Sequence, residues 1–212
     1  MSKRGLFVTF EGIDGSGKST QIDHIAAQLA AQKIPFIKTR EPGGTKFGQD
    51  VRALLTADEN IPMAAIPEML LVNAARYIHV HSVIEPALDS GKWVLCDRFL
   101  DSTYAYQIFE IDADLSLFNL LNQFCVGRNV PDRTYVLDLD PVIARRRIAA
   151  RRANQTDGPE KYRDFERIRR GFVAIAHQNT ERCRLLDGSL EQATISAEIW
   201  SDIRAKAESF SP

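Results

Sequence analysis

The 212-residue sequence predicts an α/β fold: a doubly wound, mostly parallel sheet of five strands flanked by helices. Three observations carry that expectation. A short apolar run, Leu6 to Phe10, leads through a turn containing Gly12, Gly15 and Gly17 into helical apolar spacing at Ile22, Ile25, Ala26 and Leu29. Strand-like and helical patterns then alternate to the C-terminus, as right-handed β-α-β crossovers require. The length suits one domain with a core of its own, numbered 1–212, carrying a small mobile segment.

The first unit is the most specific. Gly12, Gly17, Lys18 and Ser19 match G-x-x-x-x-G-K-[ST], the phosphate-binding P-loop of nucleoside-triphosphate-binding folds. Average residue usage puts a chance match in such a chain at about one in a hundred. Glycines let successive N–H groups converge on one phosphate, and the positive end of the helix over 21–32 adds to that anion site. Gly12, Asp14, Gly15, Ser16, Gly17, Lys18, Ser19 and Thr20 form the expected triphosphate site. Lys18 reaches the β/γ-phosphates, and the Ser19 hydroxyl serves Mg²⁺.

A second strand, Pro35 to Thr39, ends at Arg40-Glu41-Pro42-Gly43-Gly44-Thr45, a loop by its Pro-Gly-Gly. Ligands bind at the carboxyl ends of strands in open α/β sheets, and Arg40 there can fork onto a phosphate, or alternatively pair with Glu41. Val51 to Leu55 reads as a short helix and 58–60 as a polar link. Pro67 to Leu88 reads as one long helix whose apolar face contains Arg76, a charge that needs a partner. His79 and His81 point to different faces of it and are not paired as metal ligands.

Trp93 to Asp97 is an apolar strand ending in a carboxylate, followed by Arg98. Asp97 is a candidate for the Mg²⁺ shell, but Tyr135 to Asp138 has the same form and the pattern does not choose between them. Ser102 to Gln107 supplies hydroxyl and amide groups suited to a sugar and a base. Pro141 opens a helix to residue 152 rich in arginine, and Glu160 to Arg182 reads as another basic helix. The polar Gly-Pro loop between them fits a lid, at about 148–162, that closes over phosphates and excludes water. Residues 184–188 are the last strand and turn, and a helix from Leu190 to about Ala207 closes the fold.

The formal charge of −1 argues against a nucleic-acid or membrane footprint, and no run approaches the roughly 18 apolar residues of a membrane span. Cys96, Cys125 and Cys183 are an odd, dispersed set that reads as buried free thiols. With no room for a signal peptide before the first strand, the cytosol is the expected location.

In order, Phe-Glu-Gly-Ile-Asp-Gly-Ser-Gly-Lys-Ser-Thr (10–20), Thr-Arg-Glu-Pro-Gly-Gly-Thr (39–45), Ala-Ala-Arg (74–76), Asp-Arg-Phe (97–99) and Ser-Thr-Tyr-Ala-Tyr-Gln (102–107) resemble the thymidylate kinases, P-loop nucleoside-monophosphate kinases. The resemblance implies transfer of the ATP γ-phosphate to dTMP with Mg²⁺, usually in a homodimer. It implies that Asp14 holds the acceptor's 3′-hydroxyl, and that Arg40 and Arg98 hold its phosphate. Asp97 would assist at the metal and the attacking phosphate. Arg76 and Gln107 would face the thymine edge with Thr103 nearby, Tyr106 the deoxyribose, and Arg147 the adenine.

The chain departs from the family pattern in four places. Gly15 stands where some members carry a catalytic arginine, so a lid residue is expected to supply that charge: Arg151, Arg152, Lys161 or Arg163, the first two favoured. Gln155-Thr156 replaces an Asp-Arg pair in the lid. Val72 replaces a phenylalanine that stacks on thymine, a loss of about 1–3 kcal/mol by analogy with base–aromatic stacking. Ile108-Phe109-Glu110 replaces a glycine-rich turn, with Phe109 a candidate substitute ring.

Two other functions fit parts of the pattern. Val72 and Ile108 motivate a kinase for another deoxynucleoside monophosphate. A nucleotide switch would use the P-loop alone, but would leave Arg40, Asp97 and Arg98 without a purpose. Neither His-Arg-Asp nor Asp-Phe-Gly occurs, which excludes a protein kinase.

Overall fold

The computed structural model of the protein describes residues 4–56, 63–152 and 163–209, without the side chains of Arg151, Arg152 and Ser209. Five strands form one parallel sheet in the order β2-β3-β1-β4-β5: β1 (Phe7–Glu11), β2 (Phe36–Arg40), β3 (Trp93–Asp97), β4 (Arg133–Asp138) and β5 (Cys183–Asp187). A sheet covered on both faces calls for nearly continuous apolar strands, and β1 is buried throughout.

Alternation along the strands divides the core. Val8, Phe10, Tyr135 and Leu137 face one layer, with Ile25 and Leu29 of α1 (Lys18–Ala31) and Ile199 of α9 (Gln192–Ser209). Phe7, Val94 and Cys96 face the opposite layer, with Leu88 and Phe99. Val136 turns the same way, toward Phe172 of α8 (Phe165–Gln178) and Ala144 of α7 (Pro141–Arg152). Each fully buried side chain of this size contributes roughly 1.5–3 kcal/mol.

The helix expected over 67–88 begins at Ala65 and is interrupted. α3 (Ala65–His79) runs through a π-helical turn, Val80–Ile84, into α4 (Glu85–Asp89). The Glu85 N–H donates to Val80 O, five residues back, just before Pro86, which has no N–H to donate. α2 is longer than expected (Lys46–Thr56). α5 (Leu100–Thr103) continues as a π-helical segment, Tyr104–Glu110. α6 (Leu115–Cys125) was not anticipated, although Asp114 caps it by accepting from Leu117 N at 2.7 Å.

The expected helix over 160–182 is shorter within the described residues. Asp164 caps α8 by accepting from Glu166 N and Arg167 N, both at 3.0 Å. The helix ends at Gln178 because the chain turns there to enter β5, with Cys183 N donating to Asn179 O. The polar link 58–60, the lid loop 153–159 with Gln155 and Thr156, and Lys161 lie outside the described residues. All three cysteines are buried and free. Among the described residues, no helix is long and apolar enough to cross a membrane.

Candidate active site

Register puts the chemistry on one edge. Phe10 of β1 and Arg40 of β2 both lie opposite Asp97 of β3, so the P-loop, the Arg40 loop and Asp97-Arg98 emerge side by side. Gly12 (φ 130°) is required by close approach: a Cβ there would lie 2.6 Å from Leu137 O. Lys18 is buried at the loop's centre, where its Nζ donates to the Gly12 and Ile13 carbonyls at 3.0 Å each. α1 begins without a side-chain cap, which leaves its first-turn N–H groups, with Thr20 beside them, to an anion. Ser16 Oγ is buried with no hydrogen-bond partner among the described residues.

Ser19 Oγ donates to Asp97 Oδ2 at 3.0 Å. Asp97 Oδ1 is buried and has no hydrogen-bond partner among the described residues. Asp138 is committed elsewhere, because Arg169 binds it bidentately at 2.6 and 2.9 Å. That contact engages both oxygens of Asp138, whereas Asp97 keeps one oxygen without a described partner. A hydroxyl oxygen beside a carboxylate with an orphaned oxygen is the donor set a hard cation takes.

The loop opens onto a cavity of about 400 Å³, lined by Asp14, Lys18, Arg40 and Arg98 and also by Arg76 and Gln107. Arg98 has a left-handed backbone (φ 69°). Its guanidinium donates to Asp14 Oδ1 at 2.6 Å and Ser102 Oγ at 3.2 Å, and lies 5.0 Å from the Tyr106 ring centre. Glu11 holds the following turn by accepting from Phe99 N at 2.7 Å and Ser102 Oγ at 2.6 Å. Burial, and then the nearby Asp101 charge, push Glu11 up to about 8.

Glu68, Val72 and Arg76 follow one another at intervals of four along α3 and so share the face that lines the cavity. Arg76 is buried. It donates to Glu41 Oε2 at 2.8 Å and Thr103 Oγ1 at 2.9 Å, and lies 5.0 Å from the Phe99 ring centre. Gln107 Nε2 donates to Glu68 Oε1 at 2.8 Å. Arg163 Nη2 meets the same oxygen, and its Nη1 donates to Glu110 Oε2 at 3.1 Å.

A family description, thymidylate kinase, matches residues 10–199. The chain belongs to the thymidylate kinase family. It is 43% identical over 211 residues to the thymidylate kinase of Rhodopseudomonas palustris strain TIE-1, covering 97% of this chain and 91% of the other. It is 37% identical to that of Marinomonas sp. strain MWYL1, covering 92% of each. The crystal structure of thymidylate kinase from Ehrlichia chaffeensis superposes with a TM-score of 0.74 at 32% identity, over 95% of this chain and 99% of that one.

Within the thymidylate kinase pattern, the departure at Gly15 has a steric basis. A Cβ there would lie 2.7 Å from Ala144 O, so α7 occupies the space an arginine would use. Arg147 of α7 donates to Gly188 O at 3.0 Å and reaches Gly15 O at 3.5 Å, which places it on the P-loop's flank. The expected alternative pairing of Arg40 with Glu41 does not form: Glu41 gives one oxygen to Arg76 and the other to His79 Nδ1, at 2.9 Å. Phe109 does not replace the ring lost at Val72. It packs on α8, where a Cβ on Gly171 would come within 2.8 Å of Phe109 Cβ.

The basic helix α8 is less open than its sequence suggests. Arg167 pairs with Asp112 at 3.1 Å and Arg169 with Asp138, and Arg163, just before the helix, pairs with Glu68 and Glu110. The favoured lid charges Arg151 and Arg152 end α7, and their side chains lie outside the described residues. Sequence reasoning missed the buried carboxylates Glu11 and Glu68, and saw in Glu41 only an alternative partner for Arg40. Glu68 had a signal, its spacing of four and eight residues before Val72 and Arg76.

Proposed function

We propose that the protein phosphorylates dTMP to dTDP with the γ-phosphate of ATP and Mg²⁺, a step toward dTTP. One observation carries this reading: Lys18 of the P-loop, the arginines Arg40 and Arg98, and the Arg76–Thr103–Gln107 cluster all line the same cavity. A donor triphosphate on the loop and a monophosphate on the arginines then meet head to head. An acceptor phosphate oxygen attacks the γ-phosphorus, the bond to the β-phosphate oxygen breaks, and ADP leaves with that electron pair. Such transfer depends on positioning and on neutralising charge, and the described side chains serve those ends.

Lys18 moves from the loop carbonyls onto the β/γ-phosphates. Arg40 and Arg98 hold the acceptor phosphate, and Asp14, tied to Arg98, takes the sugar hydroxyl. Ser19 and Asp97 would hold the Mg²⁺, which would supply positive charge to neutralise the phosphates. Arg147 flanks the adenine, Tyr106 lies against the deoxyribose and Val72 against the base. Arg151 or Arg152 supplies the lid charge in a segment at about 148–162 of a single domain. We further propose a cytosolic homodimer, supported by the free thiols and by the exposed Leu70, Tyr77 and Phe124 on neighbouring helices α3 and α6.

Val72 in place of a stacking ring supports a second reading, a kinase for another deoxynucleoside monophosphate. ADP release coupled to dTMP, dUMP, dCMP, dGMP and dAMP separates the two. A dominant dTMP rate supports the first reading, and a flat or shifted profile replaces it with the second.

A further inference from the structure

Two donors converge on one oxygen of Glu68, and all three residues line the cavity. Arg163 Nη2 and Gln107 Nε2 both meet Glu68 Oε1, and Glu68 and Gln107 are 6% and 4% exposed. A guanidinium offers only donors, so the oxygen that meets it acts only as an acceptor. Gln107 therefore has to turn its NH₂ toward Glu68, because the reverse orientation would set oxygen against oxygen in a buried site. The planar amide then points its carbonyl Oε1 away from Glu68. Arg163 is held in place by a second carboxylate, Glu110.

We propose that Glu68 is a positioning residue for base selection: it fixes the Gln107 amide so that the group offered to the base is an acceptor. This rests on the dTMP-kinase reading for the ligand but concerns how the wall discriminates. Arg76 can only donate. An acceptor at Gln107 beside a donor at Arg76 fits a base edge with an N–H next to a carbonyl, as in thymine and uracil. Cytosine presents the reverse, a ring nitrogen acceptor next to an amino donor, and meets both wall groups with the wrong polarity. Sites built to hydrogen-bond one pattern reject its mismatch strongly, since the wall groups are left unpaired.

The test is equilibrium binding of dTMP and dCMP by calorimetry, with wild type and the variants E68M, E68Q and Q107L. E68M removes the acceptor, frees the amide to rotate, and should lower the dTMP/dCMP affinity ratio at least tenfold. E68Q keeps a carbonyl that both donors can reach and should hold the ratio within about threefold of wild type. Q107L should lose the ratio as E68M does, and serves if E68M does not fold. A purely structural role for Glu68 would weaken both ligands in parallel and leave the ratio unchanged. That result, or a wild type that binds dCMP as tightly as dTMP, overturns the proposal. ADP release from ATP and dTMP is read separately, so a failed kinase assignment is not confused with a failed base selector.

Discussion

Glu41 and Arg76 form a buried ion pair, 2.8 Å between Oε2 and Nε, with side chains 5% and 2% exposed. The pair joins the loop after β2 to α3, and Arg76 extends it to Thr103 on α5. Glu41 Oε1 adds His79, whose Nε2 meets Thr39 Oγ1 at 2.6 Å. Three elements that line the cavity are thus fixed by one carboxylate. Removing one member of such a pair leaves a buried charge uncompensated, at a cost of about 3–5 kcal/mol. Glu41→Ala should lower the melting temperature by about 10 °C for a chain of this size, and raise the acceptor KM more than it lowers kcat. A melting temperature within 2 °C of wild type would remove the structural role assigned to Glu41.

How much of this was legible in the sequence depended on distance along the chain. The P-loop was plain because its chemistry is local: a run of eight residues carries its own glycines, lysine and hydroxyl. Arg76 was legible as a charge that needed a partner, but its partner lies 35 residues upstream and could not be read. Asp97 and Asp138 looked alike because both end apolar strands. Arg169, on a helix 31 residues past Asp138, separates them. The break in the long helix over 67–88 had a local cue in Pro86, and α6 had one in Asp114, and both cues were passed over. The pairing of the α8 arginines with body carboxylates was illegible, since a basic helix face has the same sequence whether it meets solvent or acid.

Lys18 is held by two loop carbonyls, contacts that any phosphate would replace. Lys18→Ala should therefore leave the fold close to wild type while removing a positioned charge from the transferring group. Loss of one such preorganised contact costs at least about 100-fold in kcat. The check is turnover measured beside a melting curve. Turnover near wild type would contradict the role, as would a collapse in stability that explains the lost activity.

Asp97 binds Ser19 through one oxygen and keeps the other buried without a partner among the described residues. Asp97→Asn preserves the acceptor for Ser19 but removes the charge. The Mg²⁺ concentration for half-maximal rate should rise by about tenfold or more, the usual scale for disturbing a metal site's support. Saturating Mg²⁺ should recover much of the rate, and chelation should abolish it in both proteins. An unchanged Mg²⁺ titration would take Asp97 out of the metal site.

Glu11 predicts a pH dependence of stability with a definite sign. Its carboxyl titrates near 4.5 in the ordinary state and is pushed up to about 8 in the fold, first by burial and then by Asp101. Arg98, and the bonds from Ser102 and Phe99, oppose that rise without cancelling it. Between those two values the folded protein holds a proton that the unfolded chain has released. Stability from this group is therefore complete below about pH 4.5, falls as pH rises, and levels off above about pH 8. Glu11→Gln copies the neutral acid and cannot ionise, so the difference between wild type and variant isolates the group. Urea midpoints at pH 5, 6, 7 and 8 should show wild type losing ground to the variant at each step. Parallel curves would mean that Glu11 is ionised in the fold and that the turn carrying Arg98 is built around a carboxylate.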